Sequence, residues 1–150
     1  MSGGSRVSGI LMLLALAGCV CSRPVPETAI PVNDTLLDLE LAADHTARAC
    51  GLAYRESLPA DRGMLFVMAE PTEFVLWMRD TKMPLSIAFL DEQGRILNIQ
   101  DAQPAQRRER YSSPADTRYA IEVNRGWFDR HQVEVGDTLE IDLPASLRVR

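Results

Sequence analysis

The sequence predicts a mainly β domain: a β-rich α+β unit, a small antiparallel barrel-like or sandwich structure of about seven short strands with one or two short helices. Three observations carry this reading. Short apolar or alternating runs recur at close spacing from residue 37 to residue 143. Loops of hairpin length, rich in Asp, Gly and Pro, separate most of them. Such spacing leaves no room for the repeated crossover helices of a doubly wound parallel sheet.

Each element has its own signal. Leu37, Leu39 and Leu41 alternate with Asp38 and Glu40, the period of a half-buried strand. Asp44 is placed to cap a short helix over residues 45–52 that Gly51 brings to an end. Turn residues fill 57–63, and a fully apolar strand is expected over 64–67. Further strands are expected at 74–78, at 85–90 and, after a hairpin loop at 91–94, at 95–99. Residues 101–118 are polar, carry two prolines and read as a long loop before a strand at 119–123. A helical turn is expected at 126–131. Val135, Gly136 and Asp137 then turn the chain into a final alternating strand at 139–143, with Leu139 and Ile141 inward.

Composition narrows the function classes. The 46% hydrophobic and 25% charged fractions of this 150-residue chain belong to a folded domain rather than a disordered one. No repeat at solenoid spacing is present. The net charge is −5, and the basic set is almost wholly arginine, with Lys82 the single lysine. That balance lacks the footprint of a general nucleic-acid binder, so no nucleic-acid partner is expected.

The first 18 residues read as a leader rather than part of the fold. Arg6 and the amino terminus form a positive start, and the unbroken apolar run 10–17 is far too short to span a bilayer. The run ends in Leu16, Ala17, Gly18 and Cys19, which resembles the lipobox of bacterial lipoproteins. The resemblance implies cleavage before Cys19 and acylation of that cysteine, and several acyl chains anchor a protein stably. Residues 19–31, with Pro24, Pro26 and Pro31, read as an extended tether, and residues 32–150 as a single domain. The expected location is the cell envelope on the periplasmic side of a membrane, the outer one by default because Val20 is not Asp.

With Cys19 taken by lipid, Cys21 and Cys50 form the one intramolecular pair available, and an exported compartment permits a disulfide. An inert, buried Cys50 is the preferred reading, since Cys21 lies in the tether. His45, Cys50 and His131 fit no recognised metal-ligand spacing, and both histidines read as surface residues; no metal and no cofactor is expected. Met64, Met68, Met78 and Met83 could bind copper(I) through their thioethers, but their apolar neighbours favour core filling. Arg107, Arg108 and Arg110 around Glu109 read as a solvated loop, with anionic lipid or a wall polymer as the alternative contact.

Several stretches together resemble one family, the bacterial and archaeal domain of unknown function 192. They are CGLAYRESLP at 50–59, RGMLF at 62–66, LWMRDTKMPL at 76–85, IAFLD at 87–91 with GRI at 94–96, YAIEVNRGW at 119–127, and VGD at 135–137. The resemblance covers nearly all of residues 35–142 and implies a β-rich, often exported domain with no established activity. Two positions depart from the family's pattern: Ala53 stands where Met is usual, and Ser86 where Asp is usual. An essential acid at position 86 would therefore be missing.

The candidate site is assembled from strand ends and tight loops, where functional groups tend to gather. Strand parity sets Phe74, Leu76 and Met78 on one side and Val75, Trp77 and Arg79 on the other. Trp77 offers a stacking face beside Arg79, Asp80 and Thr81. Glu122 interrupts an apolar strand and leads to Asn124, and Arg55 is a candidate bidentate partner for its carboxylate. Arg55, Trp77, Arg79, Asp80, Thr81, Glu122 and Asn124 are thus the candidate ligand-binding residues, expected around one concavity. The competing reading is that Arg55, Glu122 and Asn124 merely lock loops to the barrel.

No histidine stands in a matching block and no Gly-x-Ser-x-Gly elbow exists, so Thr81 with Asp80 makes a poor nucleophile and base. The expected function is a membrane-tethered envelope binding or accessory module for an unidentified envelope ligand or protein. The alternative is an enzyme acting on a wall or membrane component, with Glu122 as general acid/base and Arg55 or Arg79 stabilising an anion.

Overall fold

A computed structural model describes residues 20–104 and 108–150. The leader, Cys19 and Arg107 lie outside the described residues. After a 3-10 turn at Val20–Ser22, the chain forms β1 (Glu27–Val32), β2 (Thr35–Ala42), α1 (His45–Cys50), β3 (Arg62–Thr72), β4 (Val75–Leu76) and β5 (Leu85–Leu90). It continues through β6 (Ile96–Ala102), β7 (Tyr111–Ser112), β8 (Thr117–Asn124) and α2 (Trp127–Arg130). The fold is mainly β, as the alternating patterns predict: eight strands in two sheets with two short helices.

Six strands form one sheet in the order β1-β2-β3-β8-β5-β6, and β4 pairs with β7 in a separate ribbon. The outer strands β1 and β6 do not pair with each other, so the large sheet is open and not a closed barrel. All its neighbours are antiparallel except β2 and β3, which run parallel with Leu39 opposite Gly63. Parallel neighbours need a crossover. Here α1 and the loop up to Asp61 supply it, the one departure from the antiparallel expectation.

The sheet is buried on both faces. One face carries Leu37, Leu39, Leu65, Ile121 and Val123 under Trp127 and Phe128 of α2 and the C-terminal segment. The other carries Met64, Phe66, Leu85, Ile87 and Phe89 under α1, the loop containing Leu52 and Leu58, and the β4–β7 ribbon. Met64, Met78 and Met83 are among these core residues, as their apolar neighbours predict.

Asp44 caps α1 by accepting a hydrogen bond from the Ala47 amide at 2.9 Å, and the helix stops at Gly51, whose φ of 51° suits glycine. Gly63 has a different task. A Cβ there would lie 2.4 Å from the Glu122 carbonyl oxygen, so β3 and β8 approach this closely only because residue 63 lacks one.

Three expectations give way. The proline-rich segment does hold a ladder: β1 pairs with β2 from Glu27–Glu40 to Val32–Thr35, so the folded unit starts before residue 32. Proline is tolerated because β1 is an edge strand, where an absent N–H removes no partner on the open side. Residues 101–118 are not all loop, since β6 runs to Ala102 and β7 sits within them. Residues 139–143 form no strand; only Thr138 makes a bridge, to Arg95. Leu139 is nevertheless buried while Ile141 is half-buried, so alternation there reports packing of a tail, not a ladder.

Leu139→Ala should therefore cost about 2–5 kcal/mol in chemical denaturation, Glu140→Ala under about 0.5, and Ile141→Ala an intermediate amount. Gly63→Ala should cost about 1–3 kcal/mol or more through overpacking.

Candidate functional site

Glu122 lies on β8, the strand between β3 and β5, opposite Met64 on one side and Ile87 on the other. It therefore faces the layer covered by α1, in the middle of the sheet, and is only 4% exposed. Above it is the turn that ends α1: a Cβ added to Gly51 would sit 3.8 Å from the Glu122 Oε2. Between α1 and the 74–81 segment a cavity of about 250 Å³ opens to solvent, and Glu122 lines it. Phe66, Met68, Phe74 and Leu76 are among its walls, and His45, Arg48, Trp77, Arg79 and Thr81 also line it.

The Glu122 carboxyl takes part in no hydrogen bond or ion pair among the described residues. Burial pushes it up to about 8, against a smaller opposing pull from the Arg55 charge. At neutral pH it is thus an uncharged acid, able to donate one hydrogen bond into the cavity. Thr81, 5% exposed, lines the same space and its hydroxyl is likewise unpartnered among the described residues. Both groups therefore present hydrogen-bonding atoms to the open space of the cavity, where a ligand or water can meet them.

Of the residues singled out from sequence, Trp77, Arg79, Thr81 and Glu122 line this cavity. Strand parity at 74–79 matches burial: Leu76 and Met78 are buried and Phe74 half-buried, whereas Val75, Trp77 and Arg79 are exposed. Asp80 stands in an adjoining depression with Trp77 and Arg79. It accepts a hydrogen bond from the Tyr54 hydroxyl at 3.3 Å and lies 3.6 Å from Arg79.

Arg55 and Asn124 line neither the cavity nor this depression. Arg55 forms a two-pronged ion pair with Glu40 at 2.5 and 2.7 Å, and its hydrogen bonds hold the Glu40 carboxyl below the usual range. It reaches Glu122 only as a nearby charge. Asn124 donates to the Leu58 and Pro59 carbonyls at 2.9 and 3.0 Å, which fastens the 57–61 turn to β8. For these two residues the loop-locking reading describes what the side chains touch.

Sequence reasoning missed Arg48 and gave no role to His45, both in the cavity lining. Their spacing with Ala49, three and four residues apart, sets all three on one helix face. That signal was present but short. His45 is exposed, as expected of a surface histidine, whereas His131 is half-buried, stacked on Trp127 with ring centroids 4.2 Å apart. Cys50 is not a free thiol: it is bonded to Cys21, tying the N-terminal segment to the end of α1 beside the cavity. The Ser86 departure leaves the cavity intact, because Ser86 points to the opposite face. There it donates to Asp101 at 2.6 Å and accepts from the Gly126 amide. No cluster of three or more metal-ligating side chains exists among the described residues.

This arrangement, an open mixed sheet with a carboxyl-floored cavity beneath a short helix, sits within one sequence family. The model of the DUF192 family, described as an uncharacterised ACR, matches residues 28–141, and the chain belongs to that family. A putative transcription regulator from Sinorhizobium meliloti 1021 has a similar crystal structure. It has 31% identity and a TM-score of 0.73, over 79% of this chain and 95% of that one. A protein of unknown function from Novosphingobium aromaticivorans DSM 12444 is similar at 26% identity and a TM-score of 0.72, over 93% of this chain and all of the other. No curated protein matches the chain.

The raised Glu122 pKa has a defined consequence for stability. The folded state holds a proton that the unfolded state releases near 4.5, so the Glu122 contribution to stability is greatest below that pH and falls as pH rises towards about 8. Glu122→Gln should remove this decline and be the more stable protein at pH 9, by an amount on the order of a few kcal/mol in denaturant titrations. Parallel curves for the two proteins from pH 5 to pH 9 would show that Glu122 is charged in the fold.

Proposed function

We propose that the protein is a lipid-anchored binding module of the cell envelope, whose site is the cavity floored by Glu122. One observation carries the reading: a buried, uncharged and unpartnered carboxyl faces a mostly apolar space of about 250 Å³. Ligand sites commonly combine apolar walls with a few placed polar groups. Here Glu122 and Thr81 would orient a small, largely apolar ligand carrying a hydrogen-bond acceptor, and Trp77 would stack at the mouth. Anchoring rests on the Leu16–Cys19 lipobox and the apolar run before it, which together imply an acylated Cys19 and an exported domain. The Cys21–Cys50 disulfide accords with an oxidising compartment.

A second reading has its own support. A carboxyl with a pKa near neutrality inside a cleft is what a general acid requires, so Glu122 could act on a wall or membrane component. Under that reading, a compound bound by the wild-type chain is converted on incubation, and Glu122→Gln returns it unchanged. The binding module returns it unchanged in both proteins. The word regulator in the description of the Sinorhizobium protein gains no support from the acidic balance of this chain, and no nucleic-acid partner is proposed.

The apolar fluorophore 1-aminoanthracene should bind the full chain saturably at one site, and Ala49→Trp, which places a large ring at the lining, should abolish that binding. Unsaturable binding, or binding that Ala49→Trp leaves unchanged, contradicts the site. Cys19→Ala should release the protein from the membrane fraction or leave it as uncleaved precursor. Unchanged fractionation and mature mass would refute the anchor.

A further inference from the structure

Five large hydrophobic side chains are exposed among the described residues, and three of them, Tyr54, Val75 and Trp77, border the cavity or the depression beside it. They are 56%, 50% and 43% exposed. Such clustering at one mouth is unlike the scattered apolar residues of an ordinary surface. Around Trp77 the charge is also inverted relative to the chain. The Arg79 and Arg110 guanidinium carbons lie 4.7 and 5.1 Å from its ring centroid, with Arg48 in the same cavity lining; Asp80 and the buried Glu122 are the acids that line the two depressions. Three arginines gathered near one exposed tryptophan stand out in a chain of net charge −5. The arginine run near residue 108, which the binding site does not use, thus reaches the rim through Arg110.

The N-terminus is tied to the same place. Cys21 lines the depression with Tyr54, Trp77 and Arg79 and is bonded to Cys50. Cys19, the expected acylation site, precedes Cys21 by two residues in the chain. An acyl group on Cys19 would leave the protein beside this rim.

We infer that the rim formed by Tyr54, Val75 and Trp77, with Arg79 and Arg110, docks on an anionic phospholipid surface, so that the cavity opens at the bilayer from which its ligand enters. This rests on the lipid-anchor reading above. The aromatic rings would sit at headgroup depth, where Trp and Tyr are favoured, and the arginines would meet lipid phosphates. The disulfide would fix which face the anchor presents to the membrane.

Trp77 is its own reporter, because Trp127, the other tryptophan, is fully buried. The acylated full-length protein is reconstituted into phosphatidylcholine vesicles, with or without phosphatidylglycerol, whose chains are brominated near the glycerol end. Interfacial insertion should quench roughly half of the Trp77 emission in the anionic vesicles and clearly less in the neutral ones. Trp77→Phe should abolish the quenching, and Arg79→Glu with Arg110→Glu should reduce it to the level seen without phosphatidylglycerol. Cys21→Ser with Cys50→Ser should still float with the vesicles but lose most of the quenching.

Flotation without quenching would overturn the docking surface while leaving the anchor in place. Loss of both would overturn the anchor as well. Equal quenching in the two vesicle types would overturn the choice of anionic lipid, and unchanged quenching in the cysteine variant would overturn the part given to the disulfide.

Discussion

A six-stranded sheet buried on both faces needs two covers, and the described residues offer only two short α-helices to provide them. The rest follows from that shortage. On one face α2 and the C-terminal segment suffice, with Trp127 donating from its indole nitrogen to Asp61 at 3.0 Å to hold the corner. On the other, α1 is helped by loops and by the small β4–β7 ribbon, and irregular cover leaves a gap. The cavity is that gap, and Glu122 is the residue beneath it. The disulfide between Cys21 and Cys50 adds a covalent brace at the end of α1, on the side of the cavity.

The two glutamates on this face illustrate how environment assigns charge. Glu40 of β2 and Glu122 of β8 both stand opposite Met64 of β3, one on each side, so they are separated by two strand spacings, about 10 Å. Arg55 is the one guanidinium that acts on both. Arg55 spends both its prongs on Glu40, which stays ionised below its usual range, and contributes to Glu122 nothing more than a partial electrostatic pull. Burial then decides in favour of the neutral acid. A pair of carboxyls driven apart in this way gives one a structural role and leaves the other available for a ligand or a proton.

Much of the fold was legible because apolar alternation and turn chemistry are local signals. The Asp44 cap, the stop at Gly51 and the strands at 64–67 and 119–123 all lie where those signals place them, as parts of longer elements. The parallel β2–β3 pair, the β1 ladder through Pro31 and the non-strand at 139–143 were not legible, because each depends on which neighbour is present rather than on the segment itself. The site divides the same way. Trp77, Arg79 and Thr81 share one segment and one local geometry, and Glu122 advertised itself as a charge in an apolar strand. The partners of Arg55 and Asn124 were not legible, and both the site and the loop-locking readings stayed open, because partner choice is long-range: Glu40 is 15 residues from Arg55, and Leu58 is 66 from Asn124. The disulfide was set aside for a related reason, since a cysteine in a supposed tether gave no sign of being packed against α1.

The central claim is that Glu122 is an uncharged, unpartnered acid at the floor of a ligand cavity. Isotope-edited carboxyl NMR of the full chain, with Glu122→Gln to assign the resonance, tests it most directly. The account predicts a Glu122 carboxyl that titrates near 8 in the empty protein and whose midpoint moves when the cavity is filled. A midpoint near 4.5 that is indifferent to occupancy would contradict it, and would leave Glu122 as an ordinary ionised residue of the sheet.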